Sequence, residues 1–275
     1  MSEESKINAL VNIGQSKVVE KAYDDLLSEP SKKAGNALGT IVNLGNTMLW
    51  PIKWVNERTR LYFENNLTKY EQELDKIPEE KVTEVPTEIS MPILERFTYT
   101  SNEELSNAFV KLLTSASSTE SINKAHPGFI QVIDRLSPDE AILLKYISTI
   151  KGIPVLSIMH YNNPKNTNLY NYVLKNKTGL AQKVRKLKFP QNIEIYLNNL
   201  ESLGIIKLKD YYITTIENDF QNIEKQFKNE LSIIFDKYKE PNELSKAKKE
   251  EKGMYELTSY GKLFISACIE TEKSA

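Results

Sequence analysis

Two stretches, Leu200–Leu208 (LESLGIIKL) and Tyr255–Ile265 (YELTSYGKLFI), decide how this chain folds. Ile193, Tyr196, Leu197, Leu200 and Leu203 lie at helical spacing and predict a helix with one apolar face. Gly204 stops it, because glycine adopts the left-handed backbone of a helix end without a steric penalty. Ile205–Leu208 then reads as a short β run. In the second stretch Tyr255–Thr258 is another β run, and Tyr260-Gly261 leads into a helix carrying Leu263, Phe264, Ala267 and Cys268. Helix, glycine, strand, connector, strand and helix is the outline of a winged-helix module. Here the connector is enlarged. Ile216, Phe220, Ile223, Phe227, Leu231, Ile234 and Tyr238 predict an amphipathic helix inside it, and Lys246–Lys252 (KAKKEEK) reads as a solvated loop. The inserted helix must cover its apolar face, either with the N-terminal helices or with a second copy of the chain.

Upstream of this module the pattern is helical. Ser101-Asn102-Glu103-Glu104 and Ser137-Pro138-Asp139-Glu140 have the form of capping boxes, in which the serine takes an exposed amide and the glutamate reaches back. Pro138 falls at the first helical position, where a missing N–H costs nothing. The first box opens a helix burying Leu105, Phe109, Leu112, Leu113 and Ala116. The second opens one with Ala141, Leu144, Ile147 and Ile150, closed by Gly152. Residues 79–92, proline-rich and acidic, read as an ordered connector. Before them Phe63, Leu67, Tyr70, Leu74 and Ile77 form a coiled-coil-like seam of about two heptads. Ile7, Leu10, Val11, Val18, Ala22 and Leu26 predict a further helix. The expected fold is mainly α: an N-terminal helical domain followed by a winged-helix-like α+β module with an inserted helix. N-terminal helices occupy 1–78, a connector and central helices 79–135, and the module 136–275, with its insertion at about 214–252.

One segment stands apart. Ala34–Ile52 (AGNALGTIVNLGNTMLWPI) is uncharged in a chain with 36 Lys and Arg and 37 Asp and Glu. Its length is near the roughly 20 residues a membrane-spanning helix needs. Lys32, Lys33 and Lys53 flank it, and Trp50 and Trp54 mark its second boundary, as suits a membrane interface. Asn36, Asn43, Asn46, Thr40 and Thr47 make it too polar for a constitutive span. Two readings stand: a helix buried in protein, or a segment that meets a membrane conditionally. Gly35 and Gly39, four apart, would let two backbones approach closely in either setting. Ile41, Val42, Leu44 and Leu49 supply the apolar surface.

A basic cluster is the second candidate. Lys175, Lys177, Lys183, Arg185, Lys186 and Lys188 fall close together, with Phe189, Tyr170 and Tyr172 nearby. Such a cluster either follows a phosphate backbone or forms a solvated helix face. The outward face of the 193–203 helix offers Glu194, Asn198, Glu201 and Ser202. A groove-reading helix normally presents Arg, Lys, Asn or Gln to base edges. Carboxylates there repel phosphate, so a nucleic acid ranks below a protein as partner.

Little points to catalysis. His126 and His160 are isolated from each other, and Cys268 is the single cysteine. Asp24-Asp25, Glu79-Glu80 and Glu103-Glu104 are adjacent pairs whose members point to different helix faces. No phosphate loop, dinucleotide fingerprint or zinc-ligand spacing is present. No catalytic residue, metal or cofactor is expected. Formal net charge is −1, so the whole molecule exerts no strong field on nucleic acid or membrane. The polar, acidic start and the lone cysteine predict a cytoplasmic protein, with conditional inner-membrane association through 34–52 as the exception.

Four blocks carry a family resemblance. They are Tyr23-Asp24-Asp25-Leu26-Leu27 leading to Lys33–Thr40; Lys76-Ile77-Pro78-Glu79-Glu80 with Pro86; Glu103-Glu104-Leu105 through Phe109, Leu112-Leu113 and Ala116 to His126-Pro127-Gly128-Phe129; and Leu136–Ala141. In order and spacing, over roughly residues 20–150, the chain resembles the abortive-infection alpha family of bacterial phage-resistance proteins. The resemblance implies a defence role in which an infected cell halts growth or dies before the phage matures. It brings no catalytic residues. The expectation is a non-enzymatic anti-phage protein that exposes 34–52 to the membrane or a host target. The alternatives are a soluble sensor of a phage or host protein, and a winged-helix nucleic-acid regulator using the 175–188 cluster. Self-association is expected through the 54–77 or 216–238 helices.

Overall fold

The computed structural model describes residues 32–38, 57–161, 168, 170–235 and 248–269. The chain forms two compact units, Met1–Pro138 with Ser266–Glu272, and Asp139–Ile265 with Lys273–Ala275.

The first unit contains α1 (Lys32–Ala37), α2 (Glu57–Leu74), α3 (Thr87–Phe97), α4 (Glu103–Ala116) and α5 (Gly128–Asp134). The heptad-like seam of α2 is real. Phe63, Leu67, Tyr70 and Leu74 are all buried, and α2 packs on α3 and α4. In α4, Phe109, Leu112, Leu113 and Ala116 are buried as their spacing requires. Its cap differs from expectation. Asn102, not Ser101, is the N-cap, and its side chain accepts from the Leu105 N–H at 3.2 Å. Asparagine caps as well as serine does, so the helix starts one residue later. The 79–92 stretch is also more than a connector: it holds a 3-10 turn at Glu79–Lys81 and the start of α3. Pro92 lies inside α3, where it has no N–H for the Glu88 carbonyl. The buried side chains of Asn66, Tyr70 and Ser117 in this core are neutral and paired. Asn66 donates to the carbonyls of Phe97 and Thr100, each at 3.0 Å, and the Tyr70 and Ser117 hydroxyls lie 2.7 Å apart.

The second unit runs α6 (Pro138–Ile147), β1 (Ile153–Tyr161), β2 (Tyr170–Lys177), α7 (Leu180–Lys183), α8 (Ile193–Ser202), β3 (Ile206–Lys209), α9 (Glu217–Gln226), α10 (Lys228–Phe235), β4 (Lys248–Leu257) and α11 (Ser259–Cys268). The last turn of α11 returns to the first unit, where the Ser115 hydroxyl donates to the Ala267 carbonyl at 3.0 Å. The fold is mainly helical with one antiparallel sheet in the order β2-β1-β4-β3. β3 starts in the first decisive stretch and β4 ends in the second. Ile206 pairs with Leu257 and Lys209 with Met254. Gly204 has φ +73°, the left-handed turn its position predicts. Thr258 locks the junction: its hydroxyl donates to the Gly204 carbonyl at 2.5 Å and accepts from the Gly261 N–H at 2.9 Å.

Four expectations are corrected here. Lys248–Lys252 is no loop; it is the first half of β4, paired residue for residue with β1 from His160 to Leu156. Among the described residues that half pairs with β1 alone; Lys249, Glu250 and Glu251 are exposed, and Lys252 pairs with Glu217 at 3.1 Å. The inserted helix is two helices, broken at Phe227. The described part of its apolar face is covered by the sheet of its own unit. Phe220, Ile223 and Leu231 pack on Leu156, Ile158, Leu174 and Met254 of the sheet. Gly152 does not close α6, which ends at Ile147; it precedes β1.

Candidate functional site

The basic cluster is not one helix face. Lys175 and Lys177 belong to β2, Lys183 ends α7, and Arg185, Lys186 and Lys188 follow on the loop before a 3-10 turn at Pro190–Asn192. Val184 and Leu187 anchor that loop by burial. Asp139, at the start of α6, fixes its end. The Asp139 carboxylate is only 4% exposed and accepts from the backbone N–H of Lys188 (2.9 Å), that of Phe189 (2.8 Å) and the Tyr196 hydroxyl (2.9 Å). Burial alone pushes this carboxyl up, but the two backbone donors, the phenol and the Lys188 charge outweigh it and hold it below the ordinary value. Burial and the Asp139 carboxylate push the Tyr196 phenol up in turn.

Several of the cationic charges are engaged locally. Lys177 pairs with Glu194 and lies over the Phe227 ring, and Lys183 pairs with Asp219 at 2.8 Å. Lys175 sits over Tyr172 (5.4 Å to the ring centre) and Lys188 over Phe189 (5.3 Å). Arg185 and Lys186 are exposed.

The outward face of α8 has a different character. Ile193, Tyr196, Leu197 and Leu200 are buried, leaving Glu194, Ile195, Asn198 and Ser202 outside. Glu194 is taken by Lys177, and Glu201 accepts from the Leu208 N–H at 3.0 Å. Ile195 is 64% exposed at the centre of this face, and Phe189, just before the helix, is 46% exposed. Sequence reasoning missed Ile195. The signal was a β-branched apolar residue off the buried stripe. An apolar residue ringed by polar groups is the anatomy of a protein contact.

The first unit has a groove of about 500 Å³. Its floor is Phe63, Leu94 and Ile130, and its walls are α3, with Glu88, Met91 and Glu95, and the start of α5, with Pro127 and Gln131. Arg96 is held by Asp134 and Glu95, each at 2.9 Å.

The uncharged segment begins in α1. Ala37 and Leu38 are buried, the Ala37 carbonyl accepts from the Val85 N–H at 2.8 Å, and the Lys33 ammonium reaches the carbonyls of Asp75 (3.3 Å) and Ile77. Gly35 lies within α1. Gly39, Ile41, Val42, Leu44, Leu49, Trp50 and Trp54 lie outside the described residues, as does the helix predicted over 7–26. Among the described residues no helix is long and apolar enough to cross a membrane, and no group of three His, Cys, Asp or Glu could hold a metal ion. The His126 Nδ1 accepts from the Gly128 N–H at 3.0 Å. Cys268 is buried, which pushes its thiol well up and away from reactivity.

No curated protein matches this sequence. A solved structure is similar at 15% identity, over 50% of this chain and 90% of that one, with a TM-score of 0.31; it is described as an uncharacterized protein from the hydrocarbon-degrading marine bacterium Alcanivorax borkumensis SK2. The profile named Abortive infection alpha matches residues 62–268. The match takes in α8, the sheet and all of α11, beyond the 20–150 span of the sequence resemblance, and leaves out the Tyr23–Thr40 block. It covers most of the chain, and this protein belongs to the abortive infection alpha family.

Proposed function

We propose that the protein acts in phage defence without chemistry of its own, by binding a phage or host protein in the cytoplasm through the outward face of α8. We read α8, β3, β4 and α11 as a winged-helix-like module, enlarged by α9 and α10, whose helix α8 is turned to protein rather than to DNA. The observation that carries this is Ile195, 64% exposed on a face without Arg or Lys. The neighbouring lysines Lys177 and Lys183 are spent on Glu194 and Asp219, which weighs against the nucleic-acid alternative. The burial of Ala37 and Leu38 supports the packed reading of the 34–52 segment at its start.

The test is phage plating on cells expressing the wild type, Ile195→Glu, or Arg185→Glu/Lys186→Glu, with circular dichroism of each purified protein. All three positions are exposed, so the variants should fold. Ile195→Glu is expected to abolish protection, and the charge reversal to leave it intact. The reading fails if Ile195→Glu still protects. If the charge reversal alone abolishes protection and salt-sensitive binding to DNA or RNA, the cluster is the working surface.

A further inference from the structure

The groove between α3 and α5 has the two features that select a helical ligand. Its floor is apolar: Phe63 from α2, Leu94 from α3 and Ile130 from α5 are each nearly buried. Its rim is acidic. Glu88, Met91, Pro92 and Glu95 fall at i, i+3, i+4 and i+7 on α3, so one helix edge presents carboxylate, apolar centre and carboxylate in line. The Glu88 side chain is exposed and makes no hydrogen bond or ion pair among the described residues. Pro92 leaves the Glu88 carbonyl without its helical donor, which adds an acceptor on the same wall. Among the described residues Arg96 is the single cation lining the groove, and Asp134 and Glu95 already hold it. Glu95 is shared with Arg96, so among the described residues the rim offers acceptors and one unpaired carboxylate, Glu88, and no unused cation.

From this charge pattern we infer that the groove docks a basic amphipathic helix of a partner protein, with apolar side chains seated over Phe63, Leu94 and Ile130 and Lys or Arg reaching Glu88. Apolar anchors in a groove with charges at its edge are the physics of helix-in-groove recognition. Like charges at such a rim are excluded, and opposite ones set orientation. The site lies in the first unit and does not depend on the α8 face. Its test reads binding, not protection, so either can fail alone.

The test uses the full chain and two fluorescent peptides: an amphipathic Leu/Lys helix and its Leu/Glu twin, compared by anisotropy at low and high salt. The Leu/Lys peptide is expected to bind at least about tenfold more tightly, with the margin shrinking as salt rises. Glu88→Lys, which leaves the Arg96 contacts intact, should reduce the margin, and Glu88→Lys/Glu95→Lys should invert it. Melting curves confirm that both variants fold. Equal binding of the two peptides, or binding of neither, overturns the inference. So does binding that appears only in Lys17→Glu/Lys21→Glu, which would mean that the chain's own N-terminal lysines fill the groove. Self-association lost in Glu88→Lys would overturn it in favour of a second copy.

Discussion

The two units bury polar groups in opposite ways. In the first, the most deeply buried polar residues between α2 and α4 are neutral: Asn66, Ser106, Tyr70 and Ser117 bond one another and nearby carbonyls, and the half-buried Lys69 ammonium reaches Ser106 from the edge. In the second, the junction of α6, α8 and the 184–189 loop closes on an ionised carboxylate, Asp139. Its strands and last helix meet by direct backbone approach, with Gly253 against the Lys209 carbonyl and Gly261 against that of Ile205. Neutral side-chain pairs tolerate small adjustments and ignore acid. A buried charge and bare backbone contacts do neither. The second unit should therefore be the one broken by a single methyl group and by low pH.

The largest effect is expected at Gly261. A Cβ there would stand 2.0 Å from the Ile205 carbonyl oxygen and 2.9 Å from its carbon. Both atoms are backbone, so no rotamer change relieves the clash, and the β3–α11 junction must open. Gly261→Ala should cost more than about 4 kcal/mol, in the range that marks a severe packing defect. Denaturant unfolding checks it, and hydrogen exchange should show protection lost in β3 and β4 before α4.

Next comes Asp139. Its folded-state pKa lies below the ordinary value, so its contribution is present above the unfolded value of about 4 and is lost as pH falls through the folded value. Asp139→Asn removes the charge and mismatches one donor, and should cost about 1–3 kcal/mol at neutral pH. The gap between wild type and variant should close as pH drops below about 4. Exchange in β1 and α8 followed across pH reads it. A gap that stays constant with pH would mean that Asp139 acts by shape rather than charge.

How much of this could be read beforehand follows from the same contrast. The α2 seam and the α4 stripe announce themselves because a half-buried helix must repeat its apolar positions. Gly204 and Gly261 mark the β3–α11 junction because the backbone there accepts no side chain, or only a strained one. β1 escapes notice because IPVLSIM is buried on both faces, so the alternation that flags a strand is absent. β4 hides behind KKEEK, charges that a strand paired on one side can carry. The acidic groove needed α3, which Pro86 and Pro92 disguised as a connector. Ile195 was hidden because periodicity locates a core and is silent about an apolar residue facing water. Resemblance blocks confined to roughly 20–150 missed that the family pattern runs through the sheet to residue 268.

The smallest expected effect sharpens the comparison from the other side. In the first unit the Ser117 hydroxyl donates to the Leu113 carbonyl at 2.7 Å. Its single proton is thereby used, so in the 2.7 Å contact with Tyr70 the phenol must be the donor. Tyr70→Phe then removes one donor and strands none, and should cost only about 1 kcal/mol. Ser117→Ala leaves the buried Tyr70 O–H without its acceptor and should cost more. Burial pushes the Tyr70 phenol well above its ordinary value. Its neutral form is the one the fold favours, so its contribution is intact below the unfolded value of about 10 and is lost as pH rises beyond it. Exchange in α4 should therefore be indifferent to acid. Its alkaline loss should be smaller in Tyr70→Phe than in the wild type, the mirror image of the acid response expected around Asp139.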